Sequence, residues 1–437
     1  MSNIKEYVST ILKMCVIVVM TSIVAMMLMA AVYLLPRDGI VTHLRLSEDY
    51  VRSLNDEENI AQNDYNYVRD TNTNIIMLQE ASSPRYINAL QDALLSPTSD
   101  YASKFGMDWV SLLDEHMNKE TLDEEDMLTY PRYWHGYLLF LKPLLEILTV
   151  EEISILHGIL LSVLTLIVTA LLCQKNRVLC IPWIVFVLIM NPLVIVKSFT
   201  QSSICYATLF AVIFILLKKP HMERKKYYAY VFLWTGMIVA FMDFLTYPLV
   251  AYAIPMIIVL TMENKKWKEY FSDIICYGIT FLLGYAGLWI MKWILASIFT
   301  SENVILDGIY SVLHRTGHGE AAEADALFGI VVSPANALVR NLNAFLSKPT
   351  LLVLGICILV FVLLCYRYRR EDRGRYIQNK ALIANIGIIG ILPILWYVVL
   401  YNHSALHPHL EWREWTISAF ALLSIGTIIL QTMKEKK

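Results

Sequence analysis

Charge is scarce in this chain. Asp, Glu, Lys and Arg make up 17% of its 437 residues against 57% hydrophobic, and mean hydropathy is +0.52. Soluble domains are close to half apolar, so this deficit excludes an ordinary water-soluble protein and points to a membrane. The net charge of -2 carries no information about partners, because the charges are segregated along the chain, and nucleic acid is not an expected one. Cysteines are few and misplaced for bridging. Cys15, Cys173, Cys180, Cys205, Cys276, Cys357 and Cys365 all lie in or at the ends of apolar runs, which leaves neither a disulfide framework nor a CxxC metal motif. They read as small core residues. Also missing are GxxxxGK[ST], GxGxxG and GxSxG, so ATP-driven transport, dinucleotide chemistry and hydrolase chemistry have no motif here.

What is present is a series of apolar runs. Met14–Leu35 is too long for a secretory h-region and reads as a retained anchor, making residues 1–35 an N-terminal transmembrane helix. Residues 36–150 read as an acidic loop with amphipathic helices, and the stretch up to Tyr130 holds about half of the chain's acids. Thr73–Ala81 and Pro84–Leu95 have helical spacing. Leu138–Leu148, interrupted by Lys142-Pro143 and Glu146, is short for a span and follows the aromatic Tyr130–Tyr137, so a helix lying on the membrane surface is expected. Residues 151–437 form a multi-span domain with a second long loop at 300–348. Its spans are Ile153–Leu172, Val178–Val196, Ile204–Leu217, Tyr227–Leu245, Leu249–Met262, Ile274–Phe299, Leu351–Leu364, Ala381–Leu400 and Trp415–Leu430.

The positive-inside rule sets the register. Lys175–Arg177, Lys218–Lys226, Lys265–Lys268, Arg367–Lys380 and Lys434–Lys437 share one face only if Leu138–Leu148 does not cross. The expectation is therefore an all-α polytopic membrane protein with about ten transmembrane helices and both termini cytoplasmic. That register brings the unusual polar residues to the outer face: Arg132, His135, Gln201, Asp243, His314-Arg315, His318 and the turn His403–Arg413. Lys292 sits a couple of turns inside the outer end of its helix. Any one of these residues is accounted for by snorkelling or capping, but intramembrane ionisable residues of both signs on one side form a functional candidate.

Such a set suits transfer from a phosphate-linked donor. Lys292, Arg315 and Arg413 are placed to neutralise a phosphate or pyrophosphate held by a lipid tail, with Arg132, His135, His403 and His407 as further substrate-binding residues. Asp243 or Glu411 would orient an acceptor hydroxyl or take its proton. His403, His407 and His409 with Glu411 resemble a transition-metal set, but their spacing matches no zinc signature and Pro408 disrupts a helical i, i+4 face. No metal ligands are assigned, and a divalent cation (Mg or Mn) is admitted as a cofactor without being required.

Four blocks carry a resemblance: Tyr133-Trp134-His135-Gly136-Tyr137, Asp243–Pro248, Gly284–Trp293, and Asn402-His403-Ser404 with His407. They resemble recurring blocks in a group of multi-span proteins of Gram-positive bacteria. That group is in turn similar in architecture to the type C (GT-C) glycosyltransferases, with a long first external loop, surface-lying helices and a lipid-phosphate-sugar donor. The resemblance implies a catalytic Asp or Glu in the first external loop, where Asp38 and the pair Glu48-Asp49 are the matching positions. It also implies an Asp where this chain has Asn74, and Phe-Thr-Tyr-Arg where it has Leu410-Glu411-Trp412-Arg413. Asn cannot act as a base, which moves catalysis to Glu411 or Asp38, or leaves a non-catalytic partner in surface-polysaccharide assembly.

The expected function is a glycosyltransferase in a bacterial plasma membrane. It would move a sugar from a polyprenyl-phosphate donor to a glycan or lipid acceptor outside the cytoplasm, with membrane lipids as partners. The competing expectation is a transporter or flippase of lipid-linked or small polar substrates. Against it stand the absence of an internal repeat and the clustering of polar residues at one face.

Overall fold

The computed structural model describes residues 2–61, 67–99, 108–122, 127–219, 222–318, 332–369 and 379–434. In chain order its helices are α1 (Ser2–Val32), α2 (Asp38–Leu46), α3 (Glu48–Ala61), α4 (Thr71–Ser82), α5 (Ala89–Leu95), α6 (Trp109–Asn118), α7 (Leu138–Leu145) and α8 (Val150–Lys175). Then come α9 (Cys180–Ile189), α10 (Pro192–Ile195), α11 (Phe199–Leu217), α12 (Arg224–Met242), α13 (Leu249–Thr261), α14 (Trp267–Phe299) and α15 (Val304–Arg315). The last are α16 (Pro334–Phe345), α17 (Lys348–Arg369), α18 (Lys380–Gly390), α19 (Leu392–Val399), α20 (Tyr401–Leu406), α21 (Pro408–Glu411) and α22 (Trp415–Lys434). Among the described residues the only sheet is a two-residue antiparallel ladder pairing Thr98 with Leu128 and Ser99 with Met127.

The chain is an all-α polytopic membrane protein. Seven segments among the described residues are long and apolar enough to cross a bilayer: Val8–Val32, Val150–Lys175, Phe199–Leu217, Trp267–Phe299, Lys348–Tyr366, Lys380–Val399 and Pro408–Thr432. Three of the ten expected spans fall outside this set, each for a local reason. Val178–Val196 is broken after Ile189, where Asn191 turns left-handed (φ 54) and Pro192 starts a new short helix. The second, α12, begins on Arg224-Lys225-Lys226, which lowers its apolarity. At 13 residues α13 rises only about 20 Å, short of a hydrocarbon core of roughly 30 Å. Every residue from Val250 to Leu260 is nevertheless buried, because α13 is packed among α11, α12, α14, α18 and α22. A helix that is apolar all round belongs inside a bundle.

The closest helix pair is α12 with α14. A Cβ on Gly284 would lie 2.2 Å from the Leu233 carbonyl oxygen, and one on Gly236 would lie 2.2 Å from that of Phe281. Small residues let two backbones meet in this way. Gly284→Val is expected to destabilise the protein by at least the ~1–3 kcal/mol typical of overpacking. Gly355 of α17 has nothing within 4 Å, so Gly355→Val should leave the melting temperature unchanged.

The bundle has two chemically different ends. At one, Lys175 donates to the Leu216 carbonyl (2.5 Å), Asn176 to Thr261 Oγ1 (2.7 Å), and Lys265 pairs with Asp273 (2.6 Å). This basic end gathers the clusters around 175, 224 and 265. At the other end sits a unit built from α2 to α6, with a core of Ile40, Leu44, Val51, Ile75, Leu78, Val110, Leu113 and Met117. Leu138, Leu141 and Leu145 of α7 join that core while Phe140 faces outward. With eight residues α7 rises only about 12 Å and does not cross.

Candidate functional site

Backbone-directed hydrogen bonds dock the α2–α6 unit on the bundle. Ser198 Oγ donates to the Arg69 carbonyl (2.7 Å), and Gln201 Nε2 donates to that of Val68 (3.1 Å). Asn74 Oδ1 accepts from the backbone N–H (3.2 Å) and hydroxyl (3.0 Å) of Thr200, while its Nδ2 donates to the Arg69 carbonyl (3.3 Å). One amide thus caps the first turn of α11 and also gives a proton to a carbonyl, which an aspartate cannot do. In this chain Asn74 is a docking residue.

Docking leaves a cavity of about 740 Å³ between the unit and the bundle. Its walls come from Asp70, Asn72 and Thr73, from Tyr130, Arg132 and Tyr133, from His314 and Arg315 at the end of α15, and from His403, His407 and His409. Asp70 is the only carboxylate among the described lining residues, against two arginines and four histidines. The arginines are held by aromatic rings: Arg132 lies 5.0 Å from the Tyr130 centroid, and Arg315 lies 5.7 Å from that of Tyr133. Arg315 Nη2 also donates to the Tyr133 hydroxyl (2.6 Å), and Arg132 faces Asp307 at 3.6 Å.

Asp70 is unusual in three respects. Its backbone is left-handed (φ 59, ψ 51), a conformation that costs a non-glycine residue energy. Its buried Oδ2 has no hydrogen-bond partner among the described residues. Burial pushes its pKa up to about 6, which the neighbouring Thr73 hydroxyl and amide offset only in part. The remaining oxygen, Oδ1, lies 3.8 Å from His409 Nε2. A strained, under-bonded carboxyl facing a polar cavity matches what a proton acceptor needs.

The histidines form one wall. Ring centroids of His403 and His407 are 4.7 Å apart, and those of His407 and His409 are 5.8 Å apart. His403 Nε2 donates to the Leu245 carbonyl (3.0 Å) and lies 3.3 Å from Glu411 Oε1. Burial first, then the neighbouring charges of His407 and Arg315, hold His403 well below the usual imidazole range, so it is neutral at pH 7. Glu411 is fully buried, and its Oε2 accepts from Trp396 Nε1 (2.9 Å) and from Ser404 Oγ. It backs His403 and does not itself line the cavity.

The other expected site residues stand away from the cavity. Asp243 spends both oxygens on its own turn and on α11, accepting from Thr246 Oγ1 (2.5 Å), Thr246 N (2.9 Å) and Ser203 Oγ (3.2 Å). Asp38 is an exposed first residue of α2. His135 is buried with φ 52, its Nε2 donating to the Tyr130 carbonyl (2.8 Å) and its Nδ1 2.9 Å from Glu80. It supports the Tyr130–Tyr133 wall from behind. Arg413 is buried 4.5 Å from the Trp412 ring and donates to the His409 carbonyl (3.2 Å), so it holds the histidine turn from below.

Lys292 is fully buried, and neither snorkels nor reaches the cavity: its Nζ donates to the Ala93 carbonyl (3.1 Å) in the last turn of α5. Lys142 does the same for Ala81 at the end of α4 (2.7 Å), and Arg37 for Met117 at the end of α6 (3.1 Å). Cations at helix C-termini satisfy orphan carbonyls and complement the dipole. Lys292→Met should therefore lower stability by roughly 1–3 kcal/mol, the cost of an unsatisfied buried acceptor. A raised donor KM at unchanged melting temperature would instead make Lys292 a phosphate ligand.

Of the titratable lining residues, Asp70 was not singled out from the sequence, and His409 entered only as a member of the metal set that was not assigned. An acid preceding Thr-Asn-Thr and a helix reads as an ordinary N-cap, and nothing local announces its positive φ. No group of three or more His, Cys, Asp or Glu among the described residues is arranged to hold a metal ion. Comparison with family models, with curated proteins and with solved structures finds no match to this chain.

Proposed function

We propose that the chain is a glycosyltransferase of a bacterial plasma membrane, taking a sugar from a polyprenyl-phosphate carrier to a glycan or lipid acceptor on the outer face. The reading rests on one observation above all: one carboxylate among the described lining residues, Asp70, shares a cavity with Arg132, Arg315 and a wall of histidines. The first-loop unit would then lie outside, the basic end and both termini would be cytoplasmic, and α9–α10, α12 and α13 would complete about ten crossings. This architecture is the one that the resemblance to type C enzymes implies, with Asp70 taking the place expected of Asp38.

The chemistry follows from the charges. Asp70 accepts the proton of an acceptor hydroxyl as its oxygen forms a bond to the anomeric carbon. The bond from that carbon to the phosphate oxygen breaks, and the phosphate leaves on its lipid with charge met by Arg132 and Arg315. With no second carboxylate among the described lining residues to form a glycosyl-enzyme, one direct displacement is expected, and it inverts the anomeric centre. The test is transfer of labelled sugar from polyprenyl-phosphate donors in reconstituted vesicles, with the product's anomeric configuration determined by NMR. Retention of configuration would remove Asp70 from the role of sole base. Movement of intact lipid-linked sugar across the bilayer, with no transfer from any donor, would replace the enzyme by a flippase.

A further inference from the structure

Helix α15 has three kinds of face. Val304, Gly308 and Ser311 are buried, and Arg315 follows them on the same side. Ile305, Leu306, Ile309, Tyr310, Val312 and Leu313 are 40% to 61% exposed. At 100° per residue those six cover a continuous arc of roughly 160°. Asp307 and His314 lie between the two. Six large apolar side chains in one arc form a surface that water does not suit.

The contacts of α15 place that arc in depth. Ile305 N donates to Ser297 Oγ (3.1 Å). A Cβ on Gly308 would lie 2.5 Å from the Trp293 ring, and Tyr133, which carries Arg315, stacks edge-on against Trp289 at 5.4 Å. The partners step back along α14 by one turn at a time, so α15 returns antiparallel along the last turns of α14. Gly287, just below, packs on Val18, with a built Cβ 3.1 Å from Val18 Cγ1. Val18 lies within the Val8–Val32 span, and α1 continues to Val32, roughly another 20 Å beyond that level. The stretch of α14 that α15 follows therefore lies at the level of the loop-end half of a membrane span. Met27 and Leu28 of α1, and Ile290 and Ile298 of α14, are likewise exposed apolar side chains on the helices of that end.

We infer that α15 is a re-entrant helix seated in the loop-end leaflet. Its apolar arc faces acyl chains, while Ser311 and Arg315 of the inner face and His314 beside them enter the cavity wall. Resting on the transferase reading, this gives the carrier its route: the lipid-borne phosphate reaches Arg315 from that leaflet alongside α15, and a free phosphate from water does not substitute for it.

Nitroxide labels test this directly. They would be attached through a ketone-bearing amino acid at Ile309 and at Leu313 of the full chain in vesicles, leaving the native cysteines in place. Collision with oxygen should exceed collision with a water-soluble nickel chelate, as for a label at Leu28, whereas a label at Asp56 should show the reverse. Labels on α15 behaving like Asp56 would overturn the inference. In nanodiscs, polyprenyl phosphate should raise the melting temperature and millimolar inorganic phosphate should not. A shift produced by inorganic phosphate alone would overturn the lipid source. The depth measurement needs no turnover, so a buried α15 in a protein that transfers no sugar would defeat the transferase reading and leave α15 in the leaflet.

Discussion

Asp70→Asn is expected to lower sugar transfer by about a hundredfold or more, the range of a general base, with expression intact. The same substitution should stabilise the fold at neutral pH. The folded-state pKa of about 6 lies above the ordinary 3.8, so the fold favours the protonated carboxyl. The stabilisation from that proton is complete below pH ~3.8 and is lost as pH rises through about 6, leaving a cost of roughly 3 kcal/mol above it. Asn carries no such cost, so the melting-temperature gain of the variant should be largest above pH 6 and vanish towards pH 4. Wild-type transfer should rise with pH through about 6 as Asp70 ionises. Full activity in Asp70→Asn together with a dead Asp38→Asn would return the base to Asp38.

Arg315→Gln is the second large effect. Its guanidinium stands in the cavity wall beside Tyr133, so its loss removes a charge-assisted contact of about 1.5–3 kcal/mol. That corresponds to a tenfold to hundredfold fall in kcat/KM for the phosphate donor. Arg315→Lys should recover little, since a point charge cannot both bond the Tyr133 hydroxyl and fork onto a phosphate. Steady-state kinetics with varied donor separate this from a folding defect. A change in acceptor KM alone would assign Arg315 to the other substrate.

Much of this was legible in the sequence, and for a physical reason. Basic clusters are excluded from one side of a membrane, so their alternation with apolar runs brought Arg132, Arg315, His403 and His407 to one end, and all four line the cavity. What could not be read was direction. Lys292 and Arg413 share that end, yet each is turned towards a backbone carbonyl, a choice set by neighbouring elements. Asp243 had a visible alternative in Thr246 three residues on, and local side-chain to backbone bonding prevailed. Asn74, which departs from the implied pattern, proved to hold the Arg69-Asp70 linkage on which the cavity depends.

The cavity between the first-loop unit and the bundle is expected to bind a lipid-borne phosphate with its sugar towards Asp70. Density for that lipid, in protein taken from native membranes into nanodiscs, tests it most directly. The phosphate should lie between Arg132 and Arg315, with the carrier chain passing along α15. Phosphate density at the basic end, beside Lys13 or Arg224, with the cavity free of lipid, would remove the donor from Arg132 and Arg315 and the base from Asp70.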